Sequence, residues 1–197
     1  MALGTATAPC AFRFDAGRVC LDLLATSHPV ERLGSVELLC AWITGSGLVP
    51  AGTPLAHADP TWLAGFRELR GQVDRLVRGR PAPGARPYDL ALSRVNEFAR
   101  TAPPAPRAER GDDGSLVRRL DAPPDRAALL GAVARDAVDL LTDPAARSCL
   151  RQCAGDNCPI VYLDTSRGRR RRWCSSEVCG NRERVARHRR RTAVTRA

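Results

Sequence analysis

The sequence predicts a mainly α-helical fold with a minor β component, an α+β class, in two domains of unequal size. Residues 1–142 contain four stretches of helical apolar periodicity, which indicate a helical N-terminal domain. Residues 143–197 contain two equally spaced cysteine pairs and few large apolar side chains, which is typical of a small appended module. The net charge of +10 lies mostly in this module, because the last 47 residues hold 13 of the 31 basic residues, all arginine, against four acidic residues.

Four amphipathic helices are predicted in the N-terminal domain because apolar side chains recur every three or four residues. They span residues 35–45, 59–79, 87–100 and 121–143. The second has the clearest start, since Asp59 can cap it and Pro60 suits its first position. The fourth opens at Asp121 or Pro123. The buried face of the third is predicted to contain Leu90, Ala91, Val95 and Phe98.

The minor β component is predicted from shorter signals. Residues 19–24 follow an alternating segment and a turn, so we expect a strand or buried segment there, in a hairpin or leading into a helix. Residues 115–121 are predicted to form a short strand. Residues 101–114 are predicted to be a loop, because three prolines and a Gly-Asp-Asp-Gly cluster disfavour regular structure.

Four cysteines of the C-terminal module form two matched pairs. Cys153 and Cys158 enclose four residues, Cys174 and Cys179 enclose four, and fifteen residues separate the pairs. Paired cysteines of this kind close tetrahedral zinc sites. A module this small cannot bury enough apolar surface to fold alone, so metal binding must supply its stability. The sequence therefore predicts one Zn²⁺ held by four thiolates, without the open position that a catalytic zinc keeps for water.

The order of elements around these cysteines predicts a treble-clef-like finger, in preference to a zinc ribbon. Residues 160–163 and 170–173 are predicted to pair as the arms of a hairpin. A helix capped by Ser175 or Ser176 is predicted to run to about Arg191, with the last cysteine in its first turns. Knuckle, hairpin and helix in this order are typical of a treble clef.

The other cysteines and the N-terminal residues indicate a reducing compartment. Residues 1–9 lack the basic start and apolar core of a secretory signal, and no apolar run approaches the roughly 18 residues of a membrane span. We therefore expect a cytoplasmic protein that has no membrane partner and whose cysteines are thiols or metal ligands. Cys149 is predicted to be buried and not a ligand, and Cys10, Cys20 and Cys40 to be small buried hydrophobes.

Arginines flank the second cysteine pair on both sides. Guanidinium groups bind phosphates and guanine edges in bidentate fashion, so DNA is the predicted partner. Phosphate contacts carry no sequence information, which leaves RNA as an alternative. Catalysis is not expected, because the chain has no Gly-rich phosphate loop, His-Glu-x-x-His motif or nucleophile elbow. The predicted nucleic-acid contacts are Arg169, Arg170, Arg171, Arg172, Arg184, Arg187, Arg189, Arg190 and Arg191.

Residues 164–182, with Trp173-Cys174-x4-Cys179-Gly-Asn-Arg at their end, resemble the CGNR zinc finger family. Residues 17–26 resemble the start of the ABATE domain that typically precedes this finger. Members are regarded as stress-induced transcription regulators of bacterial type. The resemblance implies that the four cysteines bind zinc and that the finger, residues 143–197, binds DNA. Residues 1–142 would then be a regulatory domain that senses a signal, such as a small-molecule effector, or that mediates homodimer formation.

Two departures from the family pattern stand out. An asparagine is expected in relatives where Ala25 stands, which argues against a ligand role at that position, and a methionine is common where Glu177 stands. The leading hypothesis is a zinc-dependent, DNA-binding transcription regulator. The alternative is a zinc protein associated with RNA or the ribosome.

The signature residues beside the cysteines are predicted to support the metal site. Gly180 and Asn181 are poor helix formers, so we expect Gly180 to let backbone amides approach the Cys179 sulfur and Asn181 to hydrogen-bond the knuckle; an ordinary turn is the alternative. Arg182 is predicted to tie helix to hairpin, with a phosphate contact as the alternative. Trp173 is predicted to shield the metal rather than to stack on a base.

Overall fold

Seven α-helices, four short β-strands and one π-helical turn make up the regular structure of the described residues. The computed structural model describes residues 12–79 and 84–194, without the side chains of residues 190–194. The expectations for residues 1–9 and for Cys10 lie outside these residues. The elements are α1 Val19–Ala25, α2 Val36–Gly45, α3 Pro60–Arg78, α4 Arg86–Ala99, β1 Pro106–Arg110, β2 Leu116–Leu120, α5 Arg126–Thr142, α6 Pro144–Ser148, β3 Leu150–Gln152, β4 Val161–Leu163, the π turn Ser176–Gly180 and α7 Asn181–Val194.

Helices α3, α4 and α5 pack against one another, and α1 lies against α3, α5 and strand β4. Helix α2 adds Trp42, whose ring meets Phe66 of α3 edge to face with the centroids 5.8 Å apart. The largest fully buried side chains include Leu21, Leu33, Leu69, Leu76, Leu129 and Leu140. None of the helices, within the described ranges, combines the length and the apolar character that a bilayer crossing requires.

The predicted helix starts at Ser35 and Asp59 are confirmed by their capping contacts. The Ser35 hydroxyl accepts a hydrogen bond from the N–H of Leu38, and the Asp59 carboxylate accepts from the N–H groups of Thr61 and Trp62. Each cap satisfies N–H groups that have no partner within the helix. These starts could be predicted because the capping residue and the N–H group that it satisfies are neighbours in sequence.

Residues 19–24 were expected to be a strand or a buried segment; the buried segment is confirmed, but the strand is wrong, because this segment is helix α1. Six of its seven residues are buried, so apolar side chains surround the helix and the usual one-sided periodicity is missing. The start of α1 depends on distant residues: the Asp136 carboxylate accepts from the N–H of Cys20 at 2.9 Å and pairs with Arg18 at 2.8 Å. Such contacts leave no local pattern in the sequence.

The loop expected at residues 101–114 is also wrong in part, since β1 pairs antiparallel with β2 and Pro106 stands opposite Leu120. All five residues of β1 are exposed, so the strand lacks the alternation that marks a buried face. Pro106 is tolerated because it is the first residue of an edge strand. The strand expected at residues 115–121 is confirmed as β2.

Two details of the predicted helices need correction. Helix α5 begins at Arg126 and not at Asp121 or Pro123, because Asp125 caps it by accepting from the N–H of Ala128. The prolines before this cap disfavour helical geometry at the residues that precede them. Leu90, expected on the buried face of α4, is 71% exposed, and the fully buried positions of that helix are Ala91 and Val95.

Gly131 of α5 lies where this helix packs against the end of α4. A Cβ atom at position 131 would lie 2.5 Å from the backbone oxygen of Thr101 and 3.3 Å from that of Phe98. Because neither backbone atom can move without shifting the chain, we expect Gly131→Ala to lower the free energy of unfolding by about 1–3 kcal/mol. Urea denaturation measures this loss.

Gly71→Ala is the matched control for this prediction. Gly71 lies within α3, and a Cβ atom there would meet nothing within 4 Å. The substitution should therefore raise the free energy of unfolding by up to about 1 kcal/mol, the helix preference of alanine over glycine. A Gly131→Ala variant as stable as Gly71→Ala would contradict the packing of α5 against α4.

Candidate metal centre and basic surface

The four cysteines predicted as ligands converge on one point. The sulfur atoms of Cys153, Cys158, Cys174 and Cys179 all lie within 4.8 Å of one another. The Cys174 sulfur is 3.6 Å from those of Cys158 and Cys179. A tetrahedral ion with Zn–S bonds of about 2.3 Å places its sulfurs about 3.8 Å apart, whereas a disulfide requires about 2.05 Å. The spacing thus fits four ligands around one zinc ion and not a disulfide.

Two different local structures present the two pairs. Cys153 and Cys158 border a knuckle between β3 and β4, in which the Cys153 N–H donates to the Ile160 carbonyl and the Cys158 N–H to the Gly155 carbonyl. Cys174 precedes the π turn and Cys179 lies within it. The turn is capped by Ser175, whose hydroxyl accepts from the N–H of Val178, as one of the two predicted caps. A knuckle followed by a capped helix agrees with a treble-clef-like finger.

The predicted pairing of residues 160–163 with residues 170–173 is wrong. Strand β4 pairs with β3, so that Leu150 stands opposite Leu163. The knuckle folds the chain back on itself, and β3 therefore takes the position beside β4. Residues 170–173 are held near β4 without a strand ladder, because the Tyr162 hydroxyl donates to the Arg171 carbonyl at 2.6 Å.

Backbone N–H groups surround the Cys153 sulfur. It accepts from Cys174 at 3.3 Å and from Gly155 at 3.4 Å. Burial acts to raise the pKa of Cys153, but these donors outweigh it and lower that pKa below its usual value. A Cβ atom at position 155 would lie 3.4 Å from the Cys179 sulfur. Gly155 therefore lets the knuckle approach the ligands closely, a role that the sequence analysis missed although the glycine stands two residues after the first ligand.

The second pair is more deeply buried. Burial raises the pKa of Cys174 far above its usual range and that of Cys179 to about 11. Thiolates in such surroundings need a cation, and a bound metal supplies it by displacing the protons. The Arg13 guanidinium donates to the Cys174 sulfur at 3.3 Å and also pairs with Asp15 at 2.8 Å. This contact comes from the N-terminal domain, 161 residues away, and no sequence signal could have revealed it.

The signature residues beside the ligands lie in different surroundings. The Gly180 N–H donates to the Ser175 carbonyl at 3.0 Å, which makes the turn π-helical. Trp173 is half-buried, and its ring lies 3.5 Å from where a Gly180 Cβ would stand. Asn181 and Arg182 are exposed at the start of α7. Within the described residues, the Asn181 side chain makes no hydrogen bond to the knuckle, so the role predicted for it has no contact to support it.

Arg171 differs from the other arginines predicted to bind nucleic acid. Its guanidinium lies 4.5 Å from the centre of the Tyr162 ring and donates to the carbonyls of Trp173, Cys174 and Asp15. These contacts join the finger to the N-terminal domain. The side chain is therefore committed to the fold and is not directed at a partner.

The remaining arginines of that set are exposed, in so far as the structure describes them. Arg169 donates to the Ser148 hydroxyl at 3.2 Å, and the Arg172 guanidinium lies 5.3 Å from the Trp173 ring. The side chains of Arg190 and Arg191 lie outside the described residues. The exposed set, called the basic surface below, consists of Arg169, Arg170, Arg172, Arg184, Arg187 and Arg189.

Two family models match the chain. Residues 17–144 match ABATE, described as "Putative stress-induced transcription regulator", and residues 149–192 match the CGNR zinc finger. Neither description names an enzyme, and comparison with curated proteins gives no match. The ABATE match alone covers more than half of the chain, and the four converging cysteines lie inside the second match. The chain therefore belongs to the ABATE family and carries a CGNR zinc finger in which four cysteines form a zinc site.

Proposed function

We propose that the finger binds DNA through the basic surface and that the protein is a zinc-dependent transcription regulator. The observation that carries this proposal is the exposure of six arginines on the one module that a metal ion organises. Three of them precede Cys174 and three lie on α7 after Cys179, so the ligands connect the two groups. Zinc binding would therefore fix both parts of the surface at once.

Helix α7 has the dimensions of a groove-binding element. Its 14 residues extend about 21 Å, and the side chains of Arg184, Arg187 and Arg189 are exposed along it. The major groove of DNA admits one α-helix and presents guanine edges that arginine recognises in bidentate fashion. RNA helices have a deep, narrow major groove that side chains cannot read. An isolated arginine-rich helix therefore suits DNA better.

The N-terminal domain would receive the signal, since it contacts the finger directly. The Leu163 N–H of β4 donates to the Ala16 carbonyl at 2.8 Å, and the Arg78 guanidinium donates to the Pro159 carbonyl at 2.6 Å. Buried residues of both parts form one continuous apolar core. A conformational change near α1 would therefore be transmitted to the knuckle through these hydrogen bonds and the shared core. The boundary at residues 142 and 143 stays a prediction.

The test is a direct comparison of nucleic acids. Purified zinc-loaded protein is incubated with fragmented genomic DNA and with total RNA from the same cells, and bound molecules are sequenced. We expect duplex DNA to be enriched, and its affinity to fall with salt at a slope of about −0.9 per phosphate contact. Preferential recovery of RNA, with no enriched DNA sequence, would instead support an RNA- or ribosome-associated zinc protein.

A further inference from the structure

A cleft of about 790 Å³ lies between the N-terminal domain and the finger. One side is formed by residues 12–15 and by His28 and Pro29 of the α1–α2 connection. The knuckle and the π turn form the other side. Ligand pockets have volumes of about 300–1,000 Å³ and occur preferentially at domain interfaces. In size and position, this cleft therefore resembles a binding site for a small molecule.

Two apolar side chains in the walls of the cleft are partly exposed among the residues that the structure describes. Phe14 is 41% exposed on the N-terminal side, and Val178 is 46% exposed on the π turn. Phe14 is held in place, because its ring packs on Gly45 so closely that a Cβ atom there would lie 2.7 Å from it. The Phe12 ring lies 6.3 Å from that of Phe14. A flat apolar molecule between these walls would remove both surfaces from water.

The formal charges around the cleft nearly cancel. Arg13 pairs with Asp15, and Arg32 and Arg182 lie in the same lining as Glu177. A zinc ion with four thiolates would add a charge of −2 behind Cys158 and Cys179, which also line the cleft. Burial and the nearby Arg78 lower the pKa of His28, which favours its neutral imidazole, and the Nδ1 atom of that ring already lies 3.4 Å from the Ser27 hydroxyl. The lining favours an uncharged ligand with a hydrogen-bonding group.

We propose that this cleft binds a small, uncharged aromatic molecule and that the bound molecule stabilises the finger against the N-terminal domain. The bound molecule would contact Phe14 in one wall of the cleft and Val178 in the other wall. It would also contact the knuckle that contains Cys158. Any molecule that binds only this docked arrangement stabilises it, by an amount that grows with the logarithm of its free concentration above its Kd. An effect of the ligand on DNA binding rests on the function proposed above, whereas the existence of the site does not.

The experiment uses the full zinc-loaded chain and Nile red, an uncharged aromatic dye that fluoresces in apolar sites. We expect saturable binding that Phe14→Ala and Val178→Ser each weaken by about fivefold, because each removes one wall. Zinc content should not change in either variant. Phe14→Ala removes a ring that packs on Gly45 and should lower the unfolding temperature, so dye binding is compared at a temperature at which every variant is folded. Leu116→Ser is the matched control, because Leu116 is 73% exposed on β2 and does not line the cleft.

Three results would overturn the proposal: no saturable binding, equal binding by all variants, or tighter binding of the anionic dye anilinonaphthalene sulfonate with the same dependence on Phe14 and Val178. DNA affinity is then measured with and without saturating Nile red. A change in DNA affinity supports the coupling, and an unchanged affinity overturns it. If the protein binds no DNA at all while Nile red binding remains sensitive to Phe14, the proposed function fails and the site stands.

Discussion

Replacing Cys174 by serine is expected to reduce the zinc content of the protein from about one ion per chain to almost none. The Cys174 side chain is fully buried, its sulfur is 3.6 Å from two other ligand sulfurs, and its N–H donates to the Cys153 sulfur. The substitution keeps this N–H but removes one of the four sulfur ligands, and three thiolates cannot close the tetrahedral site. The free energy of binding structural zinc, about 10–16 kcal/mol in isolated fingers, is also the folding free energy of such a module. Elemental analysis after gel filtration measures the bound metal.

Cys149→Ser is the matched control for Cys174→Ser. Cys149 stands four residues before Cys153 and is half-buried, but it lies outside the group of converging sulfurs. Its sulfur lies 3.9 Å from the Ser148 hydroxyl. This variant should retain its full zinc content and its unfolding transition. Equal zinc in both variants would overturn the four-ligand site, and loss of zinc in both would assign Cys149 a part in it.

The metal ligands could be predicted from the sequence because their signal is local. Each pair is separated by four residues, and a knuckle or a helix start can present two sulfurs at that spacing. The caps of α2, α3 and the π turn were predictable for the same reason, since Ser35, Asp59 and Ser175 satisfy N–H groups two or three residues onward. Short-range chemistry of this kind requires no knowledge of the tertiary fold.

The missed features depend on contacts between distant residues. Helix α1 is buried on all sides, and its start is stabilised by Asp136, so no periodicity distinguishes it from a strand. Strand β3 has three residues, two of them exposed, and becomes a strand only because the knuckle returns the chain beside it. Arg13 reaches the Cys174 sulfur across most of the chain. Tertiary packing decided each of these outcomes, and local preference did not.

The roles of individual arginines in the finger also depend on contacts that the sequence alone does not show. Arg170 and Arg171 are neighbours in a basic run, and both are predicted from the sequence to contact nucleic acid. In the structure Arg170 is exposed, whereas Arg171 donates to backbone carbonyls and lies over Tyr162. The carbonyls of Trp173 and Cys174 are partly buried, and a buried carbonyl that loses its donor costs up to about 1–3 kcal/mol. The two side chains should therefore affect nucleic-acid binding by different physical routes.

Arg171→Ala is expected to lower the thermal stability of the finger, to speed the transfer of zinc to a chromogenic chelator and to abolish tight DNA binding through loss of structure. Arg170→Ala should leave stability and zinc transfer unchanged, and should flatten the dependence of DNA affinity on salt by about 0.9 in slope, the effect of one phosphate contact. Fluorescence anisotropy across a salt series, with zinc transfer measured on the same samples, separates the two routes. If Arg171→Ala behaves like Arg170→Ala in both assays, the Arg171 guanidinium is a DNA contact and does not stabilise the contact between the finger and the N-terminal domain. If neither variant changes the salt slope, neither Arg170 nor Arg171 is a phosphate contact.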